Sequence, residues 1–177
     1  MARVSFVEKT QAHSMVKDLY QRNEDRRGFV TNLGKVMGHC PYIGLNFERM
    51  GNSLRRGEEL APGLRELSIL CVGHLTQSEY EFAHHSTLAL QCGISKQQID
   101  EVSQWATSKL FNEEERAVLG YTEEVTLDIR VKDETYARLR SLFSEHIIVE
   151  LTALIGYYCM VCRILVALQV ELEARYR

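Results

Sequence analysis

"GLRELSILCVGHLTQSEYEFAHHSTLALQCG", residues 63–93, decides how this chain folds. Pro62 stands just ahead of it, and proline suits a first helical turn, where its missing N–H would have no partner anyway. A helix is therefore expected from Pro62 through Thr76. Gln77–Ser78 break it, and a second helix runs on to Gly93. Ser78-x-x-Glu81 has the spacing of a capping box: the serine hydroxyl accepts from the backbone N–H three residues on, and the glutamate reaches back.

The same signals continue outward. "SKQQ" at 95–98 is another capping box and starts a short helix towards Trp105. Asn112 caps "EEERAVLGYTEEVTLDI", and "DETYARLRSLF" follows as one more helix. The final helix is expected from Glu145 to Ala174, with Ile148, Leu151, Ile155, Tyr158, Cys162, Leu165 and Leu172 at three-four spacing. Upstream, helices are expected over Val7–Arg22, within "FVTNLGKVMGH", and from Pro41 to about Arg55, stopping near Gly57. "NEDRRG" reads as a loop. No stretch alternates as a strand would, so the fold class is all-α, in a single domain over 1–177 with no linker or repeat.

Bulk properties narrow the function. The 177 residues can bury a real core, and 45% hydrophobic with 25% charged residues is ordinary for a globular chain. A net charge of −3 gives no general attraction to nucleic acid or anionic lipid, and no basic run is interleaved with aromatics, so neither nucleic acid nor membrane is an expected partner. The apolar stretch 147–170 is interrupted by Glu150 and Arg163, which points to a buried helix at the centre of a domain or an oligomer rather than a membrane span. Five cysteines, an odd number, with no export signal fit reduced thiols and a cytoplasmic protein.

Chemistry concentrates around "SEYEFAHH". Glu81 and His85 lie one helical turn apart on one face, about 6 Å from each other. His84 points about 100° away, as a surface or interface residue. Leu88 and Cys92 continue the Glu81–His85 face, so that face should look inward. A half-buried carboxylate beside an imidazole can pass a proton, and Glu66 from the preceding helix could complete a relay. The bland alternative is a helix cap plus an intrahelical Glu–His pair, with Glu66 paired to Arg65 or Arg163. His74, His84, His85 and Glu81 lack any H-x-x-x-H or H-E-x-x-H spacing, so no metal is expected, and no cofactor. Cys159-x-x-Cys162 falls mid-helix among apolar residues, where packing explains it better than thiolate chemistry.

Residues 64–102, "LRELSILCVGHLTQSEYEFAHHSTLALQCGISKQQIDEV", resemble the carboxymuconolactone decarboxylase family, which includes the AhpD-like alkylhydroperoxidases. The late segment "VELTALIGYYCMVCRILVALQVELE" is similar to that family's final helix, and the family core would cover about 60–172. The resemblance implies an AhpD-like helical bundle that assembles, as a hexamer or a dimer. In the peroxidase branch a glutamate, a C-x-x-C opening the next helix and a histidine form the site. Laid on this chain, the glutamate and histidine fall on Glu66 and His85, and the two cysteine positions on Ser78 and Glu81. Neither replacement can attack a peroxide as a thiolate does. The decarboxylase branch, with acidic residues just before its histidine, is similar to Glu79-Tyr80-Glu81 ahead of His85. It implies acid–base catalysis by Glu66, Glu81 and His85 on a small carboxylate or lactone, with Ser78, Tyr80 and Arg163 binding substrate. An AhpD-like antioxidant protein or a non-catalytic ligand-binding oligomer remain alternatives.

Overall fold

The computed structural model describes residues 2–176, with Arg26 described by its backbone only. Among them no strand forms. The helices are α1 (Ser14–Arg27), α2 (Asn32–Met37), α3 (Pro41–Arg56), α4 (Pro62–Leu75), α5 (Glu79–Gln91), α6 (Lys96–Asp100), α7 (Glu113–Leu127), α8 (Asp133–Leu142) and α9 (Glu145–Ala167), with short 3₁₀ turns at Val102–Gln104 and Ala174–Tyr176.

The chain divides into two compact units. One is built from the chain before Leu54 and after Arg163. In it Ala12, Val16, Tyr20 and Val30 form a small core, with Val7 packed on its edge. Tyr20 Oη donates to the carbonyls of Val7 at 3.0 Å and Gly34 at 3.3 Å. Gly38 is needed here, because a Cβ would sit 2.3 Å from that hydroxyl. Two expectations are corrected in this unit. Helix α1 begins at Ser14, since Val7 N–H is taken by Lys35 O and His13 Nδ1 accepts from Met15 N–H. It also runs through "NEDRR", whose charged residues are tolerable helix formers, and stops where Gly28 turns left-handed at φ 79°.

The second unit, Leu54–Arg163, is organised around α4. Every residue from Leu64 to Gly73 is buried, as expected for a helix surrounded on all sides. It packs on α5 and α7, and α7 on α8. Leu67, Leu70, Cys71, Ala89, Ile94, Ile99, Val102, Phe111 and Leu119 form the core, with Leu75, Phe82 and Trp105 against it. The break between α4 and α5 is a Schellman motif: Gln77 is left-handed at φ 55°, Ser78 N–H bonds Gly73 O at 2.8 Å, and Gln77 N–H bonds His74 O at 3.0 Å. Helix α9 ends in the same way at Gln169 (φ 51°), with Val170 N–H on Leu165 O, so it stops at Ala167 and not at Ala174 as expected. The α3–α4 connection is pinned by Glu150 of α9, whose carboxylate accepts the backbone N–H groups of Glu58, Glu59 and Leu60, each at 3.0 Å. Helix α9 is long and apolar enough to cross a membrane by length and composition, but half of its most apolar window is buried within the protein.

Candidate functional site

Helices α4 and α5 form a tight hairpin within the second unit, with Gly73 where α4 meets the backbone of Phe82. This pairing sets Glu66 of α4 opposite His85 of α5. His85 Nδ1 lies 2.7 Å from Glu66 Oε2, and His85 Nε2 lies 3.3 Å from Glu81 Oε2. All three side chains are buried, each residue only 5% exposed. The imidazole therefore bridges two carboxylates out of contact with bulk water. Burial alone would lower its pKa, but the hydrogen bonds and charges of Glu66 and Glu81 outweigh burial and raise it to about 9. At neutral pH His85 is an imidazolium donating to both carboxylates.

The capping box expected at Ser78 does not form. Ser78 is the first flanking residue of α5, but its side chain makes no cap bond, and its N–H goes to Gly73 O. Glu81 is committed to His85 instead. A cap contributes about 1 kcal/mol, whereas a hydrogen bond to a charged group contributes about 1.5–3 kcal/mol, so the ion pair prevails. At 95–98 and 112–115, where no buried imidazole competes, both expected capping boxes form.

The surroundings correct three further expectations. His84 is buried, with its ring stacked on Tyr80 at 4.5 Å and 10°. The inward face of α5 passes through Glu81, His84, His85 and Ala89, while Leu88 is half-buried and Cys92 exposed. Glu66 pairs with His85 rather than with Arg65 or Arg163. Arg65 bonds the carbonyls of Arg55 and Leu60, and Arg163 is exposed, with Nη1 on Cys159 O at 3.1 Å. The structure thus brings Glu66, Glu81 and His85 together, with Tyr80 on α5 and Ser78 at its N-terminal flank.

Two residues that sequence reasoning passes over border the cluster. Tyr158 of α9 is 2% exposed and sets its ring edge-on to His85, with centroids 5.0 Å apart. Burial pushes its phenol well above the usual range; Arg55 beside the hydroxyl opposes this and the charges of Glu81 and Glu66 add to it. Cys162, one turn further along α9, is also buried, and burial pushes its thiol up to about 11 despite the hydroxyls of Thr76 and Ser78 beside it. In the sequence both residues read as members of the apolar stripe of α9, which they also are. All five cysteines are free thiols, and the Cys159–Cys162 pair lies mid-helix. Among the described residues no group of three or more His, Cys, Asp or Glu side chains is placed to hold a metal ion.

Residues 41–124 match the model of the carboxymuconolactone decarboxylase family. An uncharacterized peroxidase-related protein with an alkylhydroperoxidase AhpD core, from Ralstonia eutropha JMP134, superposes with a TM-score of 0.89 over 99% of this chain and 94% of its own, at 17% identity. The debrominase Bmp8 superposes with a TM-score of 0.83 over 98% of this chain and 94% of its own, at 19% identity. A cysteine-to-alanine variant of Bmp8 is known in complex with 2,3,4-tribromopyrrole. At such identities the likeness is one of fold. Among proteins of curated function, none matches the sequence. The family model thus covers 41–124 of this chain, and the solved structures share its all-α fold.

Proposed function

We propose that the protein is a decarboxylase-like enzyme that uses acid–base catalysis on a small organic acid or lactone. The observation that carries this reading is the buried imidazolium of His85 held between Glu66 and Glu81. Loss of CO₂ from a carboxy-lactone leaves an electron pair on carbon that must be protonated, and a protonated imidazole with two carboxylates can deliver and reload that proton. Glu81 exchanges the proton with substrate, His85 carries it, and Glu66 holds the ring in place and tunes it. Ser78 at the N-terminal flank of α5, Tyr80 on α5 and Arg163 on α9 are the substrate contacts. That Bmp8 holds a small brominated ring supports a small-molecule substrate for this fold. A homo-oligomer, hexamer or dimer, and a cytoplasmic location complete the reading. Val149, Met160 and Val166, exposed apolar residues along α9, support the assembly.

Thiol peroxidase chemistry has weaker support. Cys162, which borders the relay, is a protonated, buried thiol at neutral pH, and attack on a peroxide needs a thiolate. The test of the main reading is His85→Gln, assayed on a panel of small carboxylic acids and lactones. We expect turnover to fall by at least about a hundredfold with the helical circular dichroism unchanged. Turnover that persists in a folded variant would remove His85 from catalysis.

A further inference from the structure

Arg116, Gly120, Glu123, Glu124 and Leu127 recur at helical spacing along one face of α7, and that face floors a cavity of about 320 Å³. A space of this size suits a small ligand. Trp105 lines one side, and Lys132, Thr135 and Arg138, from the cap and first turns of α8, line the other. Gly120 keeps the floor open, since a Cβ there would stand 3.2 Å from the indole. Trp105 is half-buried: it packs on the core, and its Nε1–H donates to Glu123 Oε2 at 2.8 Å.

Three carboxylates and three cations line the cavity, and their bonds sort them. Arg116 is spent on main-chain carbonyls, those of Trp105 at 2.8 Å, Phe111 at 3.0 Å, Ala106 at 3.2 Å and Ser108. Glu124 is spent on the Lys132 backbone N–H and Thr135 Oγ1, each at 2.9 Å, and on Lys132 Nζ at 3.3 Å. What is left over is of both signs. Glu123 is half-buried and accepts from the indole, but no cation pairs with it. Among the described residues, no hydrogen bond or ion pair engages the side chains of Asp128 and Arg138. A half-buried carboxylate gives up part of its hydration, and without a counter-ion it receives no charge in return.

We propose that this cavity binds a small zwitterion, an α-amino acid with an apolar side chain. Its ammonium group sits with Glu123 and Asp128 against the Trp105 indole, whose ring attracts a cation. Its carboxylate takes Arg138, which can bind it through two parallel hydrogen bonds. Its side chain lies on Ala117 and Leu127, the aliphatic part of the lining. A simple anion would meet Glu123 and Asp128, and a simple cation would meet Arg116 and Arg138. A zwitterion answers both signs and adds no net charge. The site is separate from the His85 relay and does not depend on what the relay does.

Trp105 is the only tryptophan in the chain, so its fluorescence reports on this cavity. The probes are leucine, valine and methionine, with isoamylamine and isocaproate as leucine lacking one charge or the other. Calorimetry accompanies each titration, so that binding silent in fluorescence is also seen. At least one of the three amino acids should bind below about 10 mM, and each half-ligand should bind at least about tenfold more weakly than leucine. Arg138→Gln should weaken the amino acid and isocaproate but leave isoamylamine unchanged. Glu123→Gln, which keeps an acceptor for the indole N–H, should weaken the amino acid and isoamylamine but leave isocaproate unchanged. Circular dichroism confirms the fold of both variants. No binding of any of the three amino acids by either method would overturn the proposal. A half-ligand that binds as tightly as leucine would overturn it too, as would amino-acid binding indifferent to Arg138 or to Glu123.

Discussion

Glu81 had two partners open to it and took the buried one. Its capping-box position is visible in the sequence, as is its place one turn before His85, but spacing alone does not rank the two bonds. The ranking depends on how deeply His85 is buried, which follows from α4 packing over it. Glu66 is legible once the helix break at Gln77–Ser78 is recognised, because a short turn sets consecutive helices side by side. Tyr158 is not legible, since a tyrosine at helical spacing in an apolar run looks like core. Arg55 is hidden for another reason: an arginine in the last turn of a helix already has a use, opposing the negative end of the dipole. The His85 pair also has a consequence for stability. The folded state raises the imidazole from its ordinary 6.5 to about 9, so the stabilisation it gives is complete below about pH 6.5 and is lost as pH rises through about 9. Urea unfolding of the wild type should show stability declining over that window. In His85→Gln the decline should be shallower, and equal slopes would contradict the assignment.

At the scale of elements, helix starts are easier to read than helix stops. Asn112, Ser95, Pro41 and Pro62 mark starts through side-chain or ring chemistry carried by the residue itself. Two stops are set by glutamines in the left-handed region, Gln77 and Gln169, and glutamine carries no such signal. They hold there because the Schellman bonds of the following residues are made, Ser78 to Gly73 and Val170 to Leu165. A side chain in that region costs about 1–2 kcal/mol that glycine avoids. Gln77→Gly should therefore stabilise the protein by about 1 kcal/mol, less what the freer unfolded chain takes back. Denaturant midpoints measure the change, and a clear loss of stability would show that the Gln77 side chain contributes something the turn geometry does not account for.

The whole molecule was legible as a class before it was legible in detail. The absence of strand alternation, the regular caps and the run of apolar helices specify an all-α chain. The resemblance in residues 64–102 falls inside the segment 41–124 that the family model matches. What sequence does not carry is the division of the chain into two compact units, one of which joins the first fifty-odd residues to the last fourteen. That arrangement depends on pairings far apart in the chain, such as Asn32 N–H to Glu173 at 2.6 Å, which no local pattern announces. The site lies wholly within the other unit, where α4, α5 and α9 supply Glu66, Glu81, His85 and Tyr158, and the α4–α5 turn supplies Ser78. The chemistry proposed for the site turns on the ionisation of one ring. The most direct measurement is a titration of the histidine ring nitrogens by heteronuclear NMR, with His85 assigned by its loss in His85→Gln. The His85 imidazolium should persist through neutrality and lose its proton near pH 9. A ring already neutral at pH 7, or one titrating at or below the ordinary value of about 6.5, would contradict it.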